Sequence, residues 1–137
     1  SIFNFKKFYQ MNEGNLLKSL SEKDVGTVID NMDSVLGGLQ SEPKGPEEMT
    51  NMTKIKRRLI QNMGKLITNI TDVTLNLTPN TLKRISERVT EFQRILEAKK
   101  NSIKDFGLTT EELGEINTKC RLLLLFLESK TSNSPEL

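Results

Sequence analysis

The sequence predicts an all-α fold, an antiparallel helical bundle of four main helices preceded by one or two short N-terminal helices. Two observations lead to this prediction. Apolar residues recur in steps of three and four along four stretches of the chain, which is the period of an amphipathic helix. Short segments rich in Gly, Pro, Ser or Thr separate these stretches, and no stretch carries a β-strand signal of comparable strength. Helices joined by short loops pack as antiparallel neighbours.

One domain accounts for nearly the whole chain in this prediction. A chain of 137 residues can bury about two thirds of the surface that its unfolded form exposes. We therefore assign residues 1–130 to a single bundle. Residues 131–137 are rich in Ser and Thr and contain a proline, and we expect them to form a disordered C-terminal tail.

The N-terminal segment is unusually aromatic. Phe3, Phe5 and Phe8 are half of the chain's six phenylalanines and lie within its first eight residues. We expect a short helix whose rings cover an open end of the bundle, because aromatic side chains are usually buried. The alternative is an aromatic segment that docks onto a partner protein or a lipid surface, with Lys6 and Lys7 beside it.

Turn signals bound the first two main helices. Ser21 is suited to cap the first helix, and a loop containing proline and glycine follows that helix. Pro46 is suited to the first position of the second helix. The apolar stripe of this helix runs from Met52 to Leu77, which spans about seven turns. Alternatively, Gly64 or the β-branched run that starts at Ile70 bends the helix or ends it early.

The last two main helices begin at threonines. Thr78 followed by Pro79 is the sharpest boundary in the sequence, since it places a capping residue before proline at the first helical position. We expect this third helix to close at Gly107, because glycine can adopt the left-handed conformation. Thr109 or Thr110 then opens the fourth helix.

The fourth helix carries apolar residues on two sides. The stripe suited to the core consists of Ile116, Cys120, Leu123, Leu124 and Leu127. Leu122, Leu125 and Phe126 point to the other side. A helix that is apolar all round is ordinarily surrounded. We therefore expect the N-terminal phenylalanines, or another protein chain, to cover this second side.

The composition argues against catalysis. The chain has no histidine, the residue most often used for acid-base catalysis near neutral pH and for metal binding. Cys120, its one cysteine, lies on the apolar stripe, so we expect a buried and unreactive thiol. We find no recognisable nucleophile motif. The sequence therefore predicts a protein that is not an enzyme, with no cofactor and no metal site.

The charge is nearly balanced. A net charge of +2, from 20 basic and 18 acidic residues, predicts neither strong nucleic-acid binding nor strong membrane attraction. The densest basic group places Lys54, Arg57, Arg58 and Lys65 on the outer side of the second helix, and we name these four residues the basic face. Such a run usually marks a solvated face, and the functional alternative is a site for phosphate or an acidic partner. No stretch has the length and apolarity of a transmembrane segment.

The sequence leaves the cellular compartment open. Asn51, Asn69 and Asn76 each begin an N-glycosylation triplet, which permits an extracellular protein. The single Cys120 permits an intracellular one. Because the chain starts with Ser1 instead of Met, we expect a domain excised from a longer protein or a processed chain.

Since no chemistry is indicated, we expect function to come from a surface. The first hypothesis is an interaction domain that binds another protein, or a second copy of itself, through an apolar and aromatic helical face. The candidate residues of this face are Phe3, Phe5, Phe8, Leu122, Leu125 and Phe126. The alternative is a carrier of a hydrophobic small molecule or lipid, held in a cavity lined by Met32, Met49, Met52 and Met63.

Overall fold

The computed structural model describes residues 22–71, 77–101 and 106–132 of the chain. Within these ranges the chain forms four α-helices and no β-strand, which confirms the predicted all-α class. The helices are α1 (Glu22–Gln40), α2 (Pro46–Ile70), α3 (Pro79–Ala98) and α4 (Thr110–Ser132). The predicted short N-terminal helices and the predicted cap at Ser21 lie outside the described residues.

Helix α2 begins at Pro46, as predicted, and ends at Ile70 after 25 residues. In its first turn the Glu48 carboxylate accepts a hydrogen bond from the Lys44 N–H at 2.9 Å, which ties the preceding loop to the helix. The helix passes through Gly64 without a break. It ends where the β-branched run begins, so the early end is the alternative that the structure supports.

Helix α3 starts as the sequence predicts. The Thr78 Oγ1 accepts a hydrogen bond from the Thr81 N–H at 3.3 Å, and Pro79 occupies the first helical position. The predicted end of the helix at Gly107 is wrong, because α3 ends at Ala98. The start of α3 was predicted correctly because two adjacent residues define it. The end of α3 was not, because it depends on burial against other helices.

Two features explain why α3 ends early. The Lys99 N–H still reaches the carbonyl four residues back, but the Lys100 N–H bonds to the Glu97 carbonyl, three residues back, so the last turn tightens. The three residues that follow Ala98, Lys99, Lys100 and Asn101, are polar and do not continue the apolar stripe. Gly107 does adopt the predicted left-handed conformation, with φ of 74°, but it lies in the connection that leads into α4.

Helix α4 begins with a reciprocal cap. The Glu112 N–H donates to Thr109 Oγ1 at 3.0 Å, and the Thr109 N–H donates to Glu112 Oε1 at 3.1 Å. This is a capping box, and it satisfies two backbone donors at the helix start. The helix ends at Ser132, two residues into the segment that we predicted to be a tail. Residues 133–137 lie outside the described residues, so the tail stays a prediction.

The four helices form a bundle in which each helix has two neighbours. Helix α1 packs against α2 and α3, and α4 packs against the same two helices. The pairs α1/α4 and α2/α3 therefore lie across the diagonals of the bundle. Helices α2 and α3 follow each other in the chain without being neighbours, so the prediction that consecutive helices pack side by side is wrong for this pair.

Contacts between helices fix their relative directions. Asp33 and Gln40 of α1 bind Arg88 and Glu91 of α3 in the same order along both helices, so α1 and α3 are parallel. On the opposite side of the bundle, the contacts between α2 and α4 also follow the same order along both helices, so α2 and α4 are parallel as well. The start of α3 shares a cleft with the end of α4, so these two helices are antiparallel. The direction of the helices therefore alternates from each helix to the next along the chain.

The core is apolar and receives side chains from all four helices. The largest fully buried side chains include Ile29, Met32, Met63, Ile85 and Phe92. Every helix therefore presents an apolar stripe to the bundle interior, as the periodicity predicted.

The first turns of α2 extend beyond this core. Gly38, near the end of α1, faces Leu59 of α2. About 20 Å of α2 precedes Leu59, at 1.5 Å per residue. Residues 47–51 are exposed, and Met49 is 65% exposed. Met32 is fully buried in the core, whereas Met49 is exposed. The methionines named for a carrier cavity therefore do not line one common space.

Candidate functional site

Helix α4 divides its apolar residues between the core and the surface. Its inner stripe of Ile116, Cys120, Leu123 and Leu127 is buried. Leu122 and Leu125 are 61% and 58% exposed, and Phe126 is half-buried. We name Leu122, Leu125 and Phe126 the outer apolar strip. Isolated exposed leucines are common on protein surfaces, but here two lie one turn apart beside a ring.

The position of α4 in the bundle explains this exposure. The helix contacts α2 on one side and α3 on the other, so its third side has no helix among the described residues. Leu124 is half-buried beside α3 and Phe126 is half-buried beside α2. Leu122 and Leu125 lie between these two directions and face away from the core.

A groove between α2 and α4 adjoins the outer apolar strip, and we name it the upper groove. It has a volume of about 380 Å³. Ile67 and Thr68 of α2, with Thr71 just after it, line one wall, and Lys119, Leu122, Leu123 and Phe126 of α4 line the other. Lys119 is the one charged side chain among these lining residues. The Lys130 Nζ lies 5.5 Å from the centroid of the Phe126 ring, which brings a second cation to the end of the groove away from Lys119.

A second groove, the lower groove, continues between the same two helices. Its volume is about 300 Å³, and it is lined by Gln61, Gly64, Lys65, Glu112, Glu115, Ile116 and Lys119. The missing side chain at Gly64 lets α2 approach α4 here, since a Cβ atom at that position would lie 3.3 Å from Ile116 Cγ1. Lys119 lines both grooves, so the two form one path along the parallel helix pair.

The basic face divides into exposed and packed residues. Lys54, Arg58 and Lys65 are exposed on α2. Arg57 is half-buried and packs over Gly107, where an added Cβ atom would lie 2.5 Å from Arg57 Nη1. Lys65 lines the lower groove, which Lys119 connects to the outer apolar strip. The structure therefore places part of the basic face and part of the apolar face along one helix pair.

The carboxylate of Glu112, which caps the start of α4, has a lowered pKa. Hydrogen bonds from the Thr109 backbone and side chain are the main cause that lowers the pKa of Glu112. Burial acts in the opposite direction, while the Gln61 hydrogen bond and the charge of Arg57 add to the lowering. Glu112 is thus explained by its role in the helix cap. It gives no indication of a catalytic acid.

Sequence reasoning missed a buried lysine inside the basic run. Lys56 is only 7% exposed, and burial is the main cause that lowers its pKa, followed by the charge of Lys99. Glu42 opposes the shift. The signal was present in the spacing, because Lys56 precedes the buried Leu59 and Ile60 by three and four residues.

A second polar residue of the core was also missed. Asn62 of α2 is 1% exposed, and its Nδ2 atom has no hydrogen-bond acceptor. A buried donor without an acceptor costs about 1–3 kcal/mol. The same signal was present in the spacing, because Asn62 lies three residues after the buried Leu59 and four residues before the buried Leu66.

Cys120 is buried, as predicted. Burial raises the pKa of its thiol to about 12, so the thiol stays protonated near neutral pH. Among the described residues, no group of three or more His, Cys, Asp or Glu side chains is arranged to hold a metal ion. None of the helices in the described ranges has both the length and the apolarity needed to cross a membrane.

Several predicted residues fall outside what the structure describes. Phe3, Phe5 and Phe8 are among them, so their predicted packing on Leu122 and Phe126 stays a prediction. Of the three glycosylation triplets, Asn51 is exposed on α2 and donates its side-chain amide to the Glu47 carbonyl at 3.2 Å. The Asn69 side chain and all of Asn76 also lie outside the described parts.

The other side of α4 borders a larger cleft against α3. This α3–α4 cleft has a volume of about 840 Å³ and is open to the surface. Its lining combines apolar residues with Lys83, Glu87, Glu91 and Glu128. It is therefore both larger and more polar than the upper groove.

Comparison of the chain with protein-family models, with curated proteins and with solved structures finds no significant match.

Proposed function

We propose that this chain is a non-catalytic protein–protein interaction domain that binds its partner through the outer apolar strip of α4. The observation that carries the proposal is the exposure of Leu122 and Leu125, each more than half exposed on a helix whose opposite side forms the core. Contiguous exposed apolar residues next to a groove are typical of interaction surfaces.

The strip could contribute appreciably to binding energy. Complete burial of a leucine side chain contributes about 1.5–3 kcal/mol relative to full exposure. Leu122 and Leu125 retain more than half of their exposure, so covering both gives a few kcal/mol at most, or about one to two orders of magnitude in affinity. This magnitude fits a transient interaction surface.

The available side-chain chemistry supports a non-catalytic role. The chain has no histidine, and the buried Cys120 has a raised pKa. Glu112 has a lowered pKa that its helix cap explains. A catalytic acid, base or nucleophile would need a pKa adjusted for reactivity near neutral pH and access to a substrate.

Site-specific photo-crosslinking tests the proposal. A photoreactive amino acid would replace Leu125 in the full chain, expressed in cells of its own organism, with replacement of Glu97 as the control. Glu97 is exposed on α3, away from the strip. We expect a discrete crosslinked protein from position 125 that disappears when Leu122→Gln is added. Equal crosslinking from both positions, or none from position 125, would contradict the proposal.

The alternative function, a carrier of a hydrophobic ligand, has one observation in its favour. The α3–α4 cleft is large enough for a small molecule and includes Leu82, Leu124 and Leu127 in its lining. Native mass spectrometry of the purified chain separates the two functions. A bound lipid or other small molecule, retained in stoichiometric amount, would favour the carrier, whereas the bare protein mass favours the interaction domain.

A further inference from the structure

We infer that the partner of this domain is an amphipathic helix with acidic side chains, which lies in the upper groove between α2 and α4. The inference rests on the proposed function and adds the chemistry of the partner. It is carried by the shape of the groove, by its apolar walls and by the sign of the charges around it.

The shape fits a helix. Two parallel helices form the walls, with Ile67 near the end of α2 and Thr71 just after it opposite Leu122 and Phe126 on α4. A third helix laid along such a groove places apolar side chains from one face, at positions three and four apart, between the walls. Leu125 lies next to the groove on the outward side of α4 and extends the apolar contact.

Among the described residues, the charged side chains at the upper groove are positive. Lys119 is the one charged residue in the described lining and lies where the upper groove meets the lower groove, whereas Lys130 lies beside Phe126 at the other end. The acidic residues nearest along the path, Glu112 and Glu115, line the lower groove. An acidic flank on the partner would therefore meet Lys119 and Lys130, whereas a basic flank would be repelled.

Two other occupants, a second copy of the chain and a lipid surface, fit less well. A second copy of the chain, paired symmetrically about this strip, would bring each Lys119 towards the like charges of the other copy. A lipid surface would contact the outward Leu122 and Leu125 and leave the concave groove unfilled. An acidic amphipathic helix satisfies both the concavity and the charge.

Selection of helical peptides on the full chain tests this inference. The library would be an 18-residue helix with apolar residues on one face and with flanking positions randomised among Glu, Lys, Gln and Ser. We expect enrichment of Glu over Lys at flanking positions. The best peptide should lose about tenfold in affinity for Leu122→Gln, as expected for an apolar residue at the centre of an interface.

A charge exchange provides the sharpest part of the test. The variant Lys119→Glu should weaken the acidic peptide and prefer the same peptide with Lys in place of Glu. The matched control is Lys83→Glu, an exposed change in the α3–α4 cleft, which should leave the affinity unchanged. Binding should also weaken with added salt, because the attraction between the flanking charges is screened.

Several results would overturn the inference. These are enrichment of Lys, absence of any charge preference, binding that Leu122→Gln leaves intact, and failure to select any peptide. Sedimentation of the chain with anionic lipid vesicles, or a dimer that Leu122→Gln dissociates, would identify a different occupant and also overturn it. If photo-crosslinking from position 125 still captures a protein, the proposed function survives and only the partner's chemistry is wrong.

Discussion

Gly64 on α2 and Ile116 on α4 face each other so closely that a Cβ atom at position 64 would lie 3.3 Å from Ile116 Cγ1. This contact brings together two parallel helices that are separated in the chain by all of α3. The lower groove surrounds the contact, and the upper groove opens beyond it towards Leu122. The proposed binding surface therefore depends on a glycine that is distant from it in sequence.

Replacing Gly64 with a large side chain should push α2 and α4 apart. We expect Gly64→Leu to lower the free energy of unfolding by about 1–3 kcal/mol, the usual cost of overpacking. The matched control is Gly114→Ala, because no atom lies within 4 Å of an added Cβ there. This control should be stabilising by about 0.5–1 kcal/mol, from helix propensity alone. Urea unfolding measures both, and a gain in stability for Gly64→Leu equal to that of the control would contradict the close packing.

The buried Lys56 predicts a pH-dependent stability. Its pKa is lowered in the folded state from the ordinary value of 10.5, so burying the charged form destabilises the fold below the lowered pKa. This cost disappears as pH rises from the lowered pKa to 10.5. We expect Lys56→Met to raise the free energy of unfolding at pH 7 and to have a shrinking effect towards pH 10.5.

The control for Lys56 is the exposed lysine two residues earlier, Lys54. Lys54→Met should change stability by less than about 0.5 kcal/mol at every pH, as surface substitutions usually do. A series of urea unfolding experiments between pH 7 and 10.5 makes the comparison. If the two variants behave alike, Lys56 is not a destabilising buried charge.

The residues that were predicted well act through their immediate neighbours. Thr78 with Pro79, and Thr109 with Glu112, form caps whose partners lie within three residues, so local sequence was enough to locate both helix starts. The apolar stripes were equally readable, because every fourth or third position must face the core.

The features that escaped prediction depend on distant parts of the chain. Which helices become neighbours is decided by packing, so the diagonal placement of α2 and α3 left no local sign. The end of α3 at Ala98 depends on where burial stops. The exposure of Leu122 follows from the side of α4 that receives no other described helix, whereas its apolar character suggested only that something covers it.

The capping box of α4 gives a direct test of the local structure. We expect Thr109→Ala to lower the free energy of unfolding by about 1 kcal/mol, since it removes the side chain that accepts from the Glu112 N–H. The control is Thr110→Ala, at the first residue of the helix. The control should cost clearly less in thermal or urea unfolding, and equal losses would argue against the cap.

Cys120 should resist chemical modification in the folded protein. Burial raises its pKa from the ordinary value of 9.0 to about 12, so the reactive thiolate is rare and inaccessible at pH 8. We expect a thiol reagent to label folded protein at least about tenfold more slowly than urea-unfolded protein. A Cys120→Ala chain carrying Thr118→Cys provides an exposed thiol as the control. Comparable labelling rates at the two positions would show that Cys120 is accessible.

The same raised pKa has a consequence for alkaline stability. The unfolded thiol ionises near pH 9.0, whereas the folded thiol does so near pH 12. The contribution of Cys120 to stability is therefore complete below pH 9 and is lost as pH rises towards 12. Cys120→Ala should remove this part of the alkaline loss, which urea unfolding at pH 8 and pH 10 can detect.

The most direct test asks whether α4 has a binding side that is separate from its core side. The free energy of unfolding would be measured for the double variant Leu122→Gln, Leu125→Gln and for Leu123→Ala, which truncates a buried neighbour. Glutamine keeps the helix propensity close to that of leucine. We predict a change of less than about 1 kcal/mol for the double variant and a loss of about 2–5 kcal/mol for Leu123→Ala. If the double variant loses as much as Leu123→Ala, the outer apolar strip belongs to the core of this chain and is not a binding surface.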